Sequence, residues 1–145
     1  MRCRIVLTRH DGSVSVVCPS ANAVRWMGNG GRWGTPTRGW LQAQLERSVK
    51  AGHQEWAAAR FIQAMQFGGC TEAEALAIIR DRDCAHRGTG IELWDAADVP
   101  RDRAYRDAWR RSHNGGPIVI DECKAREIDE IRAWRAYEAW RSERA

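Results

Sequence analysis

Asp11-Gly12 separates two runs in which apolar and polar residues alternate. An Asp-Gly pair in this setting favours a tight type I′ turn with positive φ at both central residues. Residues 1–20 are therefore predicted to form a β-hairpin, and a two-residue turn pairs Leu7 with Val16 and Ile5 with Cys18. In that register one face of the hairpin carries Cys3, Ile5, Leu7, Val14, Val16 and Cys18.

After the hairpin the apolar spacing changes to that of helices, and residues 41–80 are predicted to form three of them. The first is expected to end near Gly52, the second to run from about Gln54 to Gly68-Gly69, and the third to begin at a capping box formed by Thr71 and Glu74. The residues predicted to face inward are, in chain order, Leu41, Leu45 and Val49; Ala58, Phe61, Ile62 and Met65; Ala75, Leu76 and Ile79.

Residues 91–145 are predicted to run strand, helix, strand, helix. IELWD and PIVI are the short strands, and VPRDRAYRDAWRRS between them is interpreted as a helix with an apolar stripe of Ala104, Tyr105, Ala108 and Trp109. The last helix is expected to begin at Asp121, acting as its N-cap. The fold class is thus a single α+β domain over residues 1–145, mainly helical, with an N-terminal hairpin, four to five helices and two short additional strands.

Residues 25–40, RWMGNGGRWGTPTRGW, concentrate glycine, tryptophan and arginine and are interpreted as an irregular loop. Gly28 and Gly30 match the first two glycines of a dinucleotide-binding fingerprint, but Trp33 occupies the third position, and no P-loop string occurs. Loops of this composition anchor protein interfaces or stack on bases. The alternative is that the tryptophans simply cover the helical layer.

Trp33 is predicted to be an exposed binding residue, because the glycines around it build poor core walls, whereas Trp40 is expected to pack. In the last helix a large apolar residue recurs every three residues: Ile128, Ile131, Trp134, Tyr137 and Trp140. Each step of three residues rotates the side-chain direction by about 60° around the helix axis, so one core cannot bury all five side chains. Either a dimer partner, another chain or a loop covers the aromatic end, or this end of the helix frays and is exposed. The candidate partner-binding residues are Arg25, Arg32, Trp33, Arg38, Trp56, Tyr137 and Trp140.

Charge is unevenly distributed along the chain. Residues 1–52 carry eight basic and two acidic side chains, whereas residues 53–100 carry four basic and eight acidic ones. A basic N-terminal third favours a phosphate-bearing or acidic partner, although a mixed soluble surface is the simpler interpretation. Nucleic-acid or nucleotide binding through this third and the Trp/Arg loop is therefore the alternative to protein binding.

The motifs for catalysis and metal binding are incomplete. Asp81, Asp83, Cys84 and His86 lie close in sequence, but zinc sites normally need two paired half-sites and only one Cys-x-His occurs here. SHNGG contains the His and Asn of ββα-metal nucleases without the second histidine. No local context activates a cysteine as a nucleophile. The protein is therefore expected not to be an enzyme and to need no metal and no cofactor.

The chain has no run of eighteen apolar residues and no long apolar segment near its start, which predicts neither a membrane span nor a secretory signal. The five cysteines are an odd number without the spacing of a disulfide framework, so they are interpreted as free thiols. A cytoplasmic location without membrane contact is the expectation.

About 40 residues at the C-terminal end resemble small, uncharacterised phage and prophage proteins of alphaproteobacteria, which often lie near tail genes. The shared pattern is Asp-x-x-Asp-Leu/Val-Pro-x-Asp-Arg, then Arg-x-Ala-Trp, a short strand, and Lys-Ala-Arg at the start of a helix. The matching residues are Asp95, Asp98, Val99, Pro100, Asp102, Arg103, Arg106, Ala108, Trp109, Lys124, Ala125 and Arg126. The resemblance assigns no catalytic residue.

This resemblance implies a phage-encoded protein that acts in the cytoplasm of a bacterial host. The function favoured by the sequence is a non-catalytic protein-binding module. Two roles fit that class: an accessory of assembly or tail morphogenesis, and an inhibitor of a host defence complex of the anti-CRISPR kind. The partner is then a host or phage protein, with a homodimer through the C-terminal helix as a further expectation.

Overall fold

The computed structural model describes residues 2–145, in which five strands and five helices form an α+β fold. The strands are β1 (Cys3–Arg9), β2 (Val14–Val17), β3 (Gly88–Asp95), β4 (Trp109–Arg110) and β5 (Val119–Ile120). The helices are α1 (Ala21–Asn29), α2 (Arg38–Lys50), α3 (Glu55–Phe67), α4 (Glu72–Asp83) and α5 (Glu122–Glu143). An antiparallel sheet of order β2-β1-β3 and a small β4-β5 ladder make up the β part.

The N-terminal hairpin is present, but its turn has three residues instead of two. Gly12 donates its N–H to the Arg9 carbonyl at 3.0 Å, and Arg9 donates its N–H to the Ser13 carbonyl at 2.8 Å. Only Gly12 has positive φ (85°), since Asp11 uses its carboxylate to accept the Ser13 N–H at 2.9 Å. This is a type I turn closed by a glycine bulge, so the predicted type I′ turn is wrong.

The extra turn residue shifts the predicted register by one position. Ile5 pairs with Val17 and Leu7 with Ser15, not with Cys18 and Val16 as expected. Because side chains alternate between the two faces, the shift moves Val14 and Val16 to the face that carries Val6. The hairpin therefore has an apolar surface on both faces. The second apolar face is formed where Val6 pairs with Val16 and Thr8 pairs with Val14.

Each face of β1 is buried under a different part of the chain. Ile5 and Leu7 pack against the helices, in a cluster completed by Met27, Ala64, Met65, Ala75, Ile78, Ile79 and Cys84. Val6 and Val14 pack on the other face against Val99 and Trp109. The sheet is consequently the middle layer between four helices and the segment that contains β4.

Much of the predicted loop over residues 25–40 is helical. Ser20 caps α1, accepting the Ala23 N–H at 3.3 Å, and Thr37 caps α2, accepting the Trp40 N–H at 3.1 Å. Arg25 and Trp26 therefore belong to α1, and Arg38 and Trp40 to α2, which leaves residues 30–37 as the irregular segment.

The glycines of this segment allow two helix ends to meet backbone to backbone. Gly30 and Gly68, which follow α1 and α3, both have positive φ, and a Cβ on Gly30 would lie 2.7 Å from the Gly68 nitrogen. The Gly31 N–H donates to the Gln66 carbonyl at 2.7 Å, and the Gly69 N–H donates to the Gly28 carbonyl at 2.9 Å. Side chains larger than hydrogen would separate these ends and break the bonds between them.

The helices predicted over residues 41–80 are confirmed as α2, α3 and α4, including the capping box of Thr71 and Glu74. Burial differs among them. Helix α4 buries its three predicted residues together with Ile78, whereas α2 buries none and leaves Val49 43% exposed. Helix α2 thus lies at the edge of the helical layer, mainly against α3.

The prediction of a helix over VPRDRAYRDAWRRS is wrong. This segment contains one short 3-10 turn, Arg106–Ala108, followed by β4, and a second 3-10 turn, Ala96–Asp98, directly precedes it. The fold therefore has three additional strands instead of two. Asp102 accepts the Ala104 N–H at 2.9 Å, an interaction that competes with helix formation. Burial of Trp109 against the sheet, at 2% exposure, outweighs the helical preference of the segment.

Helix α5 begins as predicted, with Asp121 accepting the Lys124 N–H at 3.1 Å. It is the longest helix, at 22 residues, yet no residue of it is buried. Within residues 2–145, no helix is long and apolar enough to cross a membrane.

Replacing Gly30 with alanine should lower the free energy of unfolding by about 2 kcal/mol or more, because the new Cβ adds a clash with Phe67 and Gly68 backbone atoms to the strain of positive φ. Gly31→Ala is the matched control, since Gly31 also has positive φ but nothing lies within 4 Å of the added carbon. The control should cost about 1 kcal/mol in urea denaturation. Equal losses would show that the two helix ends do not need this close approach.

Candidate functional site

A groove of about 800 Å³ lies between the hairpin, the segment before β4 and the first half of α5. A bridge between Ser13 and Arg110 ties the hairpin turn to β4 and closes one side of it. Eight basic side chains line this basic groove: Arg9, Arg87, Arg103, Arg106, Arg110, Lys124, Arg132 and Arg135. The acidic side chains in the lining are Asp11 and Asp107.

Four arginines of the basic groove are oriented by neutral oxygen atoms and not by carboxylates. Within residues 2–145, Lys124 alone among the eight makes an ion pair, with Glu127 at 3.0 Å. Arg9 and Arg87 come from different parts of the chain, and both donate to the Ser15 hydroxyl oxygen at 3.5 Å. A neutral oxygen orients a guanidinium but leaves its charge available to a ligand.

Two more arginines of the groove are positioned by backbone carbonyls. Arg110 donates to the carbonyls of Asp107 at 3.0 Å and Trp109 at 2.9 Å. Arg132 donates to the Ala104 carbonyl, and its guanidinium lies 5.5 Å from the centre of the Tyr105 ring. Both side chains are therefore partly ordered before any ligand binds.

Three arginines outside the groove have carboxylate partners. Arg80 and Arg82 pair with Asp81 at 3.0 Å and Asp83 at 2.6 Å. The fully buried guanidinium of Arg111 pairs with Glu92 and donates to Thr8 Oγ1, which links β1 and β3. These three arginines are neutralised within the fold, whereas the seven arginines of the groove have no carboxylate partner within residues 2–145.

Asp11 is held in its charged form and offsets only one of the eight positive charges of the groove. Hydrogen bonds from Ser13, first its hydroxyl and then its N–H, lower the pKa of this carboxyl, and the charges of Arg9 and Arg110 lower it further. Its oxygen is already engaged in the hairpin turn. Eight cations thus face two carboxylates, which favours an anionic ligand.

The floor of the basic groove is apolar and offers no aromatic face. Val14 and Trp109 are buried, and Ile128 and Ile131 of α5 complete the wall. Trp109 is the aromatic side chain in the lining, and at 2% exposure it cannot stack on a base. Contacts with a ligand would therefore come from the guanidinium groups.

Tyr105 and Asp129 fix α5 against the fold. The Tyr105 hydroxyl donates to Asp129 at 2.8 Å, and this hydrogen bond raises the pKa of Tyr105, which keeps the phenol protonated as a donor. Beyond Arg132, α5 extends into solvent, and residues 133–145 are all exposed.

The aromatic face of α5, defined by Trp134, Tyr137 and Trp140, is open to solvent. These side chains are 60%, 47% and 50% exposed, and neighbouring ring centres are 5.7 and 5.9 Å apart. Tyr137 lies nine residues after Ile128, about two and a half turns, so the aromatic face points away from the basic groove. The prediction that one core cannot bury this helix agrees with this exposure.

Trp33 was predicted to be exposed, but the structure places it against the helical core. Trp33 is half-buried, packs against the helical core, and meets Trp40 edge-on with ring centres 5.1 Å apart. Trp40 is 38% exposed and contacts Trp33, so both tryptophans are partly packed. Arg32 lies over the Trp26 ring at 5.5 Å, while Arg25 and Arg38 are exposed on α1 and α2.

The residues predicted to bind a partner do not form one site. Trp56 is at the start of α3, ten residues or about 15 Å along the helix from Gln66, which contacts the glycine segment. Tyr137 and Trp140 lie on α5, a third location. The predicted set is therefore divided among three surfaces.

Sequence reasoning missed most of the basic groove. Of the basic N-terminal third, Arg9 is the residue that lines it; six of the eight cations belong to residues 101–145. Arg103, Arg106 and Arg110 belong to the segment VPRDRAYRDAWRRS, which was predicted to be a helix. The local excess of arginine was visible, but its convergence with Arg9 and Arg87 depends on the fold.

The Cys84 and His86 segment does not assemble a metal site in the described part of the chain, which holds no group of three or more His, Cys, Asp or Glu suited to an ion. Cys84 is buried in the helical core, and burial raises the pKa of its thiol. His86 lies beside His53, with ring centres 6.0 Å apart.

Comparison with protein-family models, with curated proteins and with solved structures finds no match to this chain. The resemblance to phage proteins, the cytoplasmic location and the roles that they imply therefore stay predictions. Function has to be argued from the basic groove and from the aromatic face.

Trp33→Ala should lower the free energy of unfolding by about 2 kcal/mol, less than a fully buried tryptophan, because the Trp33 side chain is only partly buried against the helical core. Trp56→Ala is the control: Trp56 is 52% exposed, and its removal should change stability by about 0.5 kcal/mol or less. Urea or thermal unfolding of both variants measures the difference. A Trp33→Ala protein as stable as the control would return Trp33 to the role of a binding residue.

Proposed function

We propose that the protein is a non-catalytic nucleic-acid-binding protein that holds a phosphate backbone in its basic groove. The observation that carries this proposal is the set of seven arginines in the groove without a carboxylate partner within residues 2–145. Clustered like charges repel one another in the free protein, so an anionic ligand relieves a cost that the fold already bears.

Arginine suits this ligand better than lysine does. Its planar guanidinium donates two parallel hydrogen bonds to a phosphate, and seven of the eight groove cations are arginines. The arginine-rich composition of the whole chain does not by itself explain why seven of these side chains converge on one groove.

The groove favours contacts with phosphates over contacts with bases. It presents guanidinium groups around an apolar floor and lacks an exposed aromatic ring. Proteins that use such contacts bind with little sequence preference and with strong dependence on salt.

Protein binding is the second candidate function, and the exposed aromatic face of α5 favours it. Tryptophan and tyrosine are enriched at the energetic centres of protein interfaces. An accessory role in phage assembly and inhibition of a host defence complex belong to this class, and both rest on the resemblance of the C-terminal residues to phage proteins.

The double variant Arg103→Glu/Arg106→Glu should bind a fluorescent oligonucleotide at least about tenfold more weakly than the wild type, and the slope of log K against log salt should fall by about two. Arg47→Glu/Arg60→Glu is the matched control, because it makes the same change of charge on α2 and α3, outside the groove. Fluorescence anisotropy at several salt concentrations measures both quantities, with duplex and single-stranded oligonucleotides as separate ligands.

Equal losses in the two double variants would mean that only net charge matters, and would contradict a site in the groove. Polyglutamate of similar charge serves as a competitor. If the wild type binds polyglutamate through the groove and binds neither oligonucleotide, the ligand is an acidic protein segment, and the nucleic-acid proposal is wrong.

A further inference from the structure

The aromatic face of α5 is uncovered along three turns of helix. Asp129 and Arg132 make the last hydrogen bonds between α5 and the rest of the fold, and residues 133–145 are all exposed. Three half-exposed aromatic rings in contact with one another are a costly surface to leave in water, and such a surface usually marks an interface.

Two opposite charges frame this face symmetrically. Glu130 is seven residues before Tyr137, and Arg144 is seven residues after it. Seven residues are nearly two turns, so both side chains point within about 20° of Tyr137. Glu130 has no hydrogen-bond or ion-pair partner in the described chain, and Arg144 lies over the Trp140 ring at 4.7 Å.

We infer that the aromatic face binds the same face of a second copy of this chain, with the two α5 helices antiparallel and crossing at Tyr137. In that register each residue meets the one equally far on the other side of Tyr137. Trp134 then meets Trp140 of the second copy, and Glu130 meets its Arg144. The dyad repeats both contacts, which gives a stacked aromatic centre between two ion pairs.

The charges exclude the parallel arrangement. A parallel pair in register places Glu130 against Glu130 and Arg144 against Arg144, and it also aligns the helix dipoles. In the antiparallel pair Arg141, the remaining charge on this face between residues 130 and 144, meets the small Ala133 of the other helix and no like charge. Self-complementarity of this kind is what a two-fold interface requires.

The dimer is expected to be weak and to leave the basic groove open. Three turns of two helices bury less surface than the roughly 1,600 Å² of a standard stable interface. The groove lies on the opposite side of α5 from the aromatic face, so dimerisation and anion binding are independent. Failure of one proposal would leave the other in place.

Charge reversal tests both the partner and the register. Glu130→Arg alone creates two like-charged contacts in the antiparallel dimer, and so does Arg144→Glu alone. Each variant should self-associate about tenfold or more weakly than the wild type. Mixing the two variants should restore association, because every contact between one chain of each kind then joins opposite charges.

Sedimentation velocity over a range of protein concentrations measures the association, and circular dichroism checks that both variants keep their helices. Glu122→Arg is the control: it lies in α5, but this register places no residue of the second helix opposite it. Recovery in the mixture alone supports the proposal. A wild type that stays monomeric at high concentration, or single variants whose mixture does not recover, would overturn it.

Discussion

Burial of both faces of β1 is the constraint from which the rest of the structure follows. Ile5, Val6 and Leu7 are all fully buried, although they alternate between opposite sides of the sheet. The helices cover one side, so another part of the chain has to cover Val6. Trp109 does so, and it brings the segment of residues 99–111 across the sheet.

The basic groove is a consequence of this second layer. Anchoring of Trp109 places its arginine-rich neighbours beside the hairpin, where Arg9 and Arg87 are already oriented by Ser15. Arg111, next along the strand direction, turns inward and is neutralised by Glu92, whereas Arg110 stays on the groove side. Because neighbouring side chains of a strand point to opposite sides, Arg111 has a structural role while Arg110 is available to a ligand.

Helix α5 combines two surfaces on one element. Its first half contributes Ile128, Ile131 and Arg132 to the groove, and its second half turns an aromatic face in the opposite direction. Because the fold holds only the first half, through Tyr105 and Asp129, the second half can meet a partner without disturbing the groove. The two proposed binding surfaces therefore lie on different sides of α5 and do not overlap.

The elements whose signals are local were predictable from the sequence. Thr71 and Glu74 predict the start of α4, and Asp121 predicts the start of α5. The three-residue spacing of the aromatic residues indicated that α5 could not be buried in one core. The hairpin was also predictable, but its register was not, because a hydrogen bond from Ser13 to Asp11 selects a turn one residue longer. The conformation around Trp109 depends on tertiary structure, because Trp109 is buried on the sheet and its segment forms a strand instead of the predicted helix. The free energy of burying an indole exceeds the helical preference of a few residues. The groove could not be found in the sequence for the same reason: its cations are far apart in the chain, and only packing on the second face of β1 brings them together.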